Sequence, residues 1–197
     1  MDIEQIITIL IYVHAFFGGL GLITGIISIA VKKGGSVHKK TGKVFSFAMV
    51  ISAVLSLIIA RMPHHENLFL FLIGIFTIYL VLSGNRALTF KKKSKTAADW
   101  IDKSISGSML LVSVIMLGIG IVGFFQQINN SILYLFFGVF GILTTTTDFR
   151  TFKTAPLKKN VWLKLHVGRI VGALIASVTA FLVAGLSIKS AIVWFLP

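Results

Sequence analysis

An all-α transmembrane fold of six helices, with the N-terminus and the C-terminus outside, is the class that this sequence predicts. Hydrophobic residues make up 56% of the 197 residues and charged residues only 13%, whereas soluble domains carry about 25% charged residues. Residues 5–31 and 104–147 contain no Lys, Arg, Asp or Glu. Each run is long enough for a transmembrane helix, which needs roughly 20 apolar residues. We therefore expect one six-helix transmembrane domain over residues 1–197.

Six apolar segments follow one another along the chain, separated by short polar or basic stretches. We expect the first to be a membrane span and not a signal peptide, because its apolar core is long and Asp2 and Glu4 stand where basic residues belong. The stretch 191–197 is too short to span and is expected at the membrane interface. The six segments are residues 5–31, 43–60, 67–88, 100–125, 131–149 and 161–187.

The basic residues predict the orientation of the chain. Of its 19 Lys and Arg residues, 17 flank the loops after the first, third and fifth segments, and only Arg61 and Lys189 fall on the other side. The positive-inside rule places those three loops in the cytoplasm and both termini outside. We therefore expect a multi-pass protein of the cell (cytoplasmic) membrane.

The net charge of +13 does not predict a nucleic-acid partner, because the basic residues punctuate apolar runs as cytoplasmic membrane loops do. The expected partners are the lipid bilayer and, beside the basic cytoplasmic loops, anionic lipid headgroups. Gly168 and Gly172 form a G-x-x-x-G pair that predicts packing against another helix or against a second copy of the chain. A homo-oligomer is therefore one of the expected assemblies.

Small and polar residues recur at helical spacing in three segments. Membrane helices pack through such residues, because lipid gives helices no hydrophobic drive to associate. We therefore expect these stripes to face neighbouring helices and His14 to face protein rather than lipid. The stripes are His14, Gly18, Gly21, Gly25 and Ser28; Gly138, Gly141, Thr145 and Asp148; and His166, Arg169, Ala173, Ala176, Ala180 and Ala184.

Ionisable residues at membrane depth are costly and mark candidate functional positions. His14 lies in the predicted outer half of the first segment. Its side chain is either a hydrogen-bonded structural histidine or a functional one, as a ligand or a proton-relay group. The other candidates fall at the predicted cytoplasmic face, where we expect Asp148 to pair with an arginine and His38 and His166 to line the same pocket. The predicted ligand-binding residues are His14, His38, Arg86, Asp148, Arg150, His166 and Arg169.

Several chemistries remain open for this cluster. It can bind a small anion or lipid headgroup through charge-assisted bonds, bind a proton, or lock the helix ends. Asp148 with His38 and His166 matches the three-ligand set of a catalytic zinc. A second hypothesis is that the protein binds haem b and carries electrons. His14 and His166 are too far apart in depth to share one iron. Because no standard catalytic motif occurs, we do not predict an enzyme, and the absence of cysteine excludes thiolate chemistry.

Two stretches resemble a bacterial membrane family, domain of unknown function 2306. The first is the Gly-rich opening segment with His14, followed by His38-Lys39-Lys40-Thr41-Gly42-Lys43, in which Thr41 is an expected N-cap. The second runs from Trp162 to Ala173 and includes His166 and Arg169. The resemblance implies a bacterial cytoplasmic membrane protein and points to His14, His38, His166 and Arg169, but implies no activity.

The sequence thus predicts a bacterial integral membrane protein that binds or transports a small ligand, a lipid headgroup or a proton at a cytoplasmic His/Arg/Asp cluster. A haem-binding electron carrier and a structural or interaction bundle are the alternatives.

Overall fold

The computed structural model describes residues 2–91, 97–128, 130–154 and 160–182, and the regular structure of these residues is helical throughout. Each of the six α-helices is long and apolar enough to cross a membrane. The protein is therefore an all-α, multi-pass membrane protein, as the sequence predicted. The predicted interfacial tail at 191–197 lies outside the described residues. The helices are α1 (Ile3–Ala30), α2 (Ser36–Ile59), α3 (Leu68–Ala87), α4 (Trp100–Phe125), α5 (Ser131–Lys153) and α6 (Val161–Ala180), with a 3₁₀-helix at Leu88–Lys91.

Helix α2 begins earlier than its apolar segment. The predicted span started at residue 43, but the helix starts at Ser36 with Gly35 as its N-cap. The predicted N-cap Thr41 is therefore wrong: it lies inside the helix, and its hydroxyl donates to the carbonyl of Val37 at 2.9 Å. Lysine is a good helix former, so the helix continues through Lys39, Lys40 and Lys43 where hydropathy stops. His38 consequently lies on α2 and not in a loop.

The chain forms two compact units. Unit 1 comprises Met1–Val81 and Ile170–Pro197, and unit 2 comprises Leu82–Arg169. Helices α1 and α2 belong to the first unit and α4 and α5 to the second, and each pair packs together as an antiparallel hairpin. The prediction of a single domain stays a prediction.

In unit 1, the predicted glycine stripe of α1 packs against α2. A Cβ built on Gly21 would overlap the Sδ of Met49, and one on Gly25 would stand 2.9 Å from a ring carbon of Phe45. Gly18 similarly faces the hydroxyl of Ser52. Because glycine has no side chain, the two helices can approach closely, as expected for helices that associate in lipid.

In unit 2, the predicted stripe of α5 packs against α4 in the same manner. A Cβ on Gly138 would stand 2.7 Å from the backbone nitrogen of Leu117, and one on Gly141 would overlap the hydroxyl of Ser113. The buried residues of α4 recur at alternating steps of four and three along its length, from Asp102 to Gly123. That spacing is the seam of a left-handed helix pair, and it carries polar residues at the end where α4 begins.

Candidate functional site

The candidate residue His14 is hydrogen-bonded to α2. Its Nδ1 lies 2.8 Å from the carbonyl oxygen of Ser52, and because a carbonyl only accepts, Nδ1 donates. The hydroxyl of Ser52 donates in return to the carbonyl of His14 at 3.1 Å. The prediction that His14 faces protein is confirmed, and the contact joins the middle of α2 to the first half of α1.

His38 holds the C-terminal end of α1. Its Nδ1 lies 3.0 Å from both the carbonyl oxygen and the hydroxyl of Ser28. Ser28 is in the last turn of α1, where carbonyls lack partners within the helix. Lys33 also donates to carbonyls of this turn. The charge of Lys33 complements the partial negative charge of the helix C-terminus. The bond from His38 satisfies one of its carbonyls, so a capping role accounts for the position of His38.

Asp148 stands in a buried polar network of unit 2. Its Oδ1 accepts from Arg169 of α6 at 2.8 Å, and its Oδ2 accepts from the hydroxyl of Ser106 of α4 at 2.9 Å. Arg169 also donates to the carbonyl of Thr144 at 2.6 Å. Asp148 is only 3% exposed and Ser106 only 1%. The predicted pairing of Asp148 with an arginine is confirmed, and its partner is Arg169.

A second ion pair opens helix α4. The Nε of Arg86 donates to Oδ1 of Asp102 at 2.5 Å, and its Nη2 donates to Oδ2 of Asp99 at 2.5 Å. Asp99 is the N-cap of α4: its carboxylate accepts from the backbone N–H of Asp102, whose carboxylate accepts from that of Asp99. This reciprocal capping starts the helix. It also fixes Asp102, which is 4% exposed, one turn before Ser106.

The two ion pairs face one small cavity. Its volume is about 20 Å³, enough for roughly one water molecule. Phe90 and Phe152, whose rings stack with centroids 6.3 Å apart, are part of its wall. The polar side chains of the wall are Ser83, Arg86, Asp102, Ser106, Asp148 and Arg169.

Two other predicted site residues of unit 2, His166 and Arg150, are not part of the cavity wall. His166 donates from Nδ1 to the carbonyl of Gly84 at 2.9 Å, in the last turn of α3, and it does not line the cavity. Arg150 is exposed on α5. His38 belongs to unit 1 and His166 to unit 2, so the prediction that they line one pocket stays a prediction.

Three residues of the network were not predicted from the sequence: Asp99, Asp102 and Ser106. A signal was present, because an acid three residues after an N-cap acid forms a capping box, and Ser106 lies one turn further on the same face. For metals, no group of three or more His, Cys, Asp or Glu side chains in the described ranges is placed to hold an ion. The predicted zinc set therefore finds no support in that part of the chain.

Comparison with known proteins identifies no relative: no family model matches the chain, and no curated protein or solved structure does so.

Proposed function

We propose that this protein transports protons across a bacterial cytoplasmic membrane and that the Asp102–Ser106–Asp148 cavity of unit 2 is its proton-binding site. Of the three ligands that the sequence predicts, a small ligand, a lipid headgroup or a proton, we choose the proton. Its proposed site lies at the N-terminal end of α4. Membership in the family that the sequence resembles and the orientation with both termini outside are parts of the same proposal.

The observation that carries this proposal is the size of the cavity together with its walls. A volume of about 20 Å³ accepts roughly one water molecule, while pockets for small organic ligands measure about 300–1,000 Å³. Two buried carboxylates, two arginines and two serines line this water-sized space. Carboxylates and a water are the groups through which protons move in membrane proteins, so the site favours a proton over a lipid headgroup.

The hydrogen bonds of the network can differ between the ionised and the protonated form of Asp148. Asp148 pairs with Arg169, while Arg86 is shared between Asp102 and Asp99. A proton on Asp148 neutralises that carboxylate and weakens its hold on Arg169. Ser106 can receive and donate a hydrogen bond at the same oxygen, so it can follow either state of Asp148. Asp99, whose side chain is 43% exposed, connects the network to the surface through Arg86.

Proton flux into vesicles tests this proposal. Vesicles that contain the purified protein and an internal pH-sensitive dye are expected to acidify faster than protein-free vesicles after an external acid jump. Asp148→Asn should remove the difference, because the amide cannot carry the proton, whereas Asp148→Glu should keep part of it. Glu66→Gln, an acid-to-amide change at an exposed residue outside the network, serves as the control. Native protein that acidifies vesicles no faster than lipid alone refutes the proposal.

A structural lock is the second candidate, and the buried ion pair of Asp148 and Arg169 favours it. For a lock, only the stability of the helix ends depends on the network. The variant Asp148→Leu with Arg169→Met separates the candidates, since replacing a buried pair by apolar residues is often neutral for stability. Proton transport requires that this variant fold and lose flux, whereas a lock requires that native and variant protein show the same flux as lipid alone.

The haem alternative has its own test. Fourteen residues along α1 separate His14 from Ser28, the partner of His38, or about 21 Å at the helical rise. These two histidines of unit 1 therefore cannot bind the same iron. An absorption spectrum of the purified protein decides the alternative: a haem carrier shows a Soret band, and the proton-transport proposal expects none.

The proposed orientation predicts opposite accessibility for two single-cysteine variants. The native chain has no cysteine, so Ser94→Cys and Asn129→Cys each introduce a unique thiol, at positions outside the described residues. A membrane-impermeant maleimide applied to intact cells should label position 129 only. Labelling of both positions from outside, or of position 94 alone, contradicts the proposed topology.

A further inference from the structure

Unit 2 contains a second cavity of different character, an open groove on the α4–α5 hairpin. Its volume is about 370 Å³. It lies near the turn that joins the two helices, at the opposite end of α4 from Asp102. Its wall is apolar apart from two hydroxyl-bearing side chains, and it is formed by Gly118, Ile119, Val122 and Gly123 of α4 with Ile128, Ser131 and Tyr134.

Two glycines give the groove its shape. At Gly123 the helices close: a Cβ there would stand 3.1 Å from the Cβ of Ser131. Gly118 is exposed, and a Cβ built on that residue meets no atom within 4 Å. The groove is therefore bounded by a close helix contact at Gly123 and is open at Gly118.

The surroundings of the groove select an apolar, chain-like occupant. Both α4 and α5 are long and apolar enough to span a membrane, so hydrocarbon is the solvent of their outer faces. No Lys, Arg, Asp or Glu occurs between residues 104 and 147, so this end of the hairpin offers no charge for an ionic ligand. Exposed amide side chains of Gln126 and Gln127 follow the end of α4 and supply hydrogen-bond donors at the polar boundary.

We propose that this groove binds one acyl chain of a membrane lipid, with the ester end of that chain beside Gln126 and Gln127. The volume of about 370 Å³ lies within the range of about 300–1,000 Å³ of small-molecule pockets, so the groove can hold part of one acyl chain. The binding is independent of the proton site, which lies at the other end of the hairpin.

Photo-crosslinking with a matched pair of glycine variants tests the proposal. The native protein is reconstituted in phosphatidylcholine vesicles that contain a small fraction of phosphatidylcholine with a diazirine in its acyl chain. After irradiation, we expect labelled peptides to concentrate on the groove residues between 118 and 134. Gly118→Leu fills the groove and should lower this labelling several-fold. Gly107→Leu, at another position of α4 where a Cβ meets no atom within 4 Å, should leave it unchanged.

Two outcomes overturn the proposal. Equal labelling of the groove in Gly118→Leu and native protein, with circular dichroism showing that both are folded, means that lipid only solvates the helix surface. Crosslinking of the Gly118→Cys variant to the α4 helix of another copy of the chain means that a second protomer occupies the groove.

Discussion

Replacing Arg169 by methionine is expected to lower the free energy of unfolding by about 3–5 kcal/mol. The variant leaves the carboxylate of Asp148 in a site where that residue is 3% exposed, without the guanidinium that now lies 2.8 Å away. Methionine preserves most of the side-chain volume, so the cost comes from the uncompensated charge. Denaturant titration of the detergent-solubilised protein measures the effect.

Two comparison variants make this prediction specific. Arg150→Met changes the same residue type at an exposed position of α5 and should alter the unfolding free energy by less than about 0.5 kcal/mol. Combining Arg169→Met with Asp148→Leu removes both charges and should recover much of the loss. A loss for Arg150→Met as large as that for Arg169→Met would show that the buried pair is not the cause.

Placing leucine at Gly138 is expected to destabilise the α4–α5 hairpin by at least about 1–3 kcal/mol, the usual cost of overpacking. A Cβ at this position would stand 2.7 Å from the backbone nitrogen and 3.0 Å from the Cα of Leu117. Backbone atoms cannot rotate away as a side chain can, so the two helices must separate. The same denaturant titration reports the change.

Gly107→Leu is the control for this overpacking effect. It introduces the same side chain on a transmembrane helix of the same unit, where a Cβ meets no atom within 4 Å. Leucine has a better helix propensity than glycine by somewhat less than about 1 kcal/mol, so this variant should be neutral or slightly stabilised. Equal destabilisation of both variants would exclude close helix contact at Gly138 as the reason.

The contacting faces of the helices were predictable because small and polar residues that pack between membrane helices recur at helical spacing in the sequence. His14, Gly21 and Gly25 share one face by spacing alone, and in unit 1 that face contacts α2. The start of α2 was not predictable from hydropathy, because lysines end an apolar run without ending a helix. The start of the apolar segment and the start of the helix are therefore different residues in α2.

The candidate site was predictable only in part. Scarcity of acids indicated that Asp148 pairs with an arginine, but the choice of Arg169 over Arg86 and Arg150 depends on a contact between residues 21 positions apart in the sequence. Arg86 instead binds Asp99 and Asp102. Whether His38 approaches His166 depends on tertiary arrangement that periodicity does not encode. Capping explains much of what these histidines do, since each bonds to a carbonyl in the last turn of a helix.

The central claim, that the carboxylates of the cavity take up a proton, is tested most directly by infrared difference spectroscopy of the reconstituted protein between neutral and acidic pH. We expect a carbonyl band of a protonated, buried carboxylic acid to appear on acidification, to be lost in Asp148→Asn and to persist in Glu66→Gln. Native protein whose spectrum contains no such band, or whose band survives in both Asp148→Asn and Asp102→Asn, would contradict proton binding at this site.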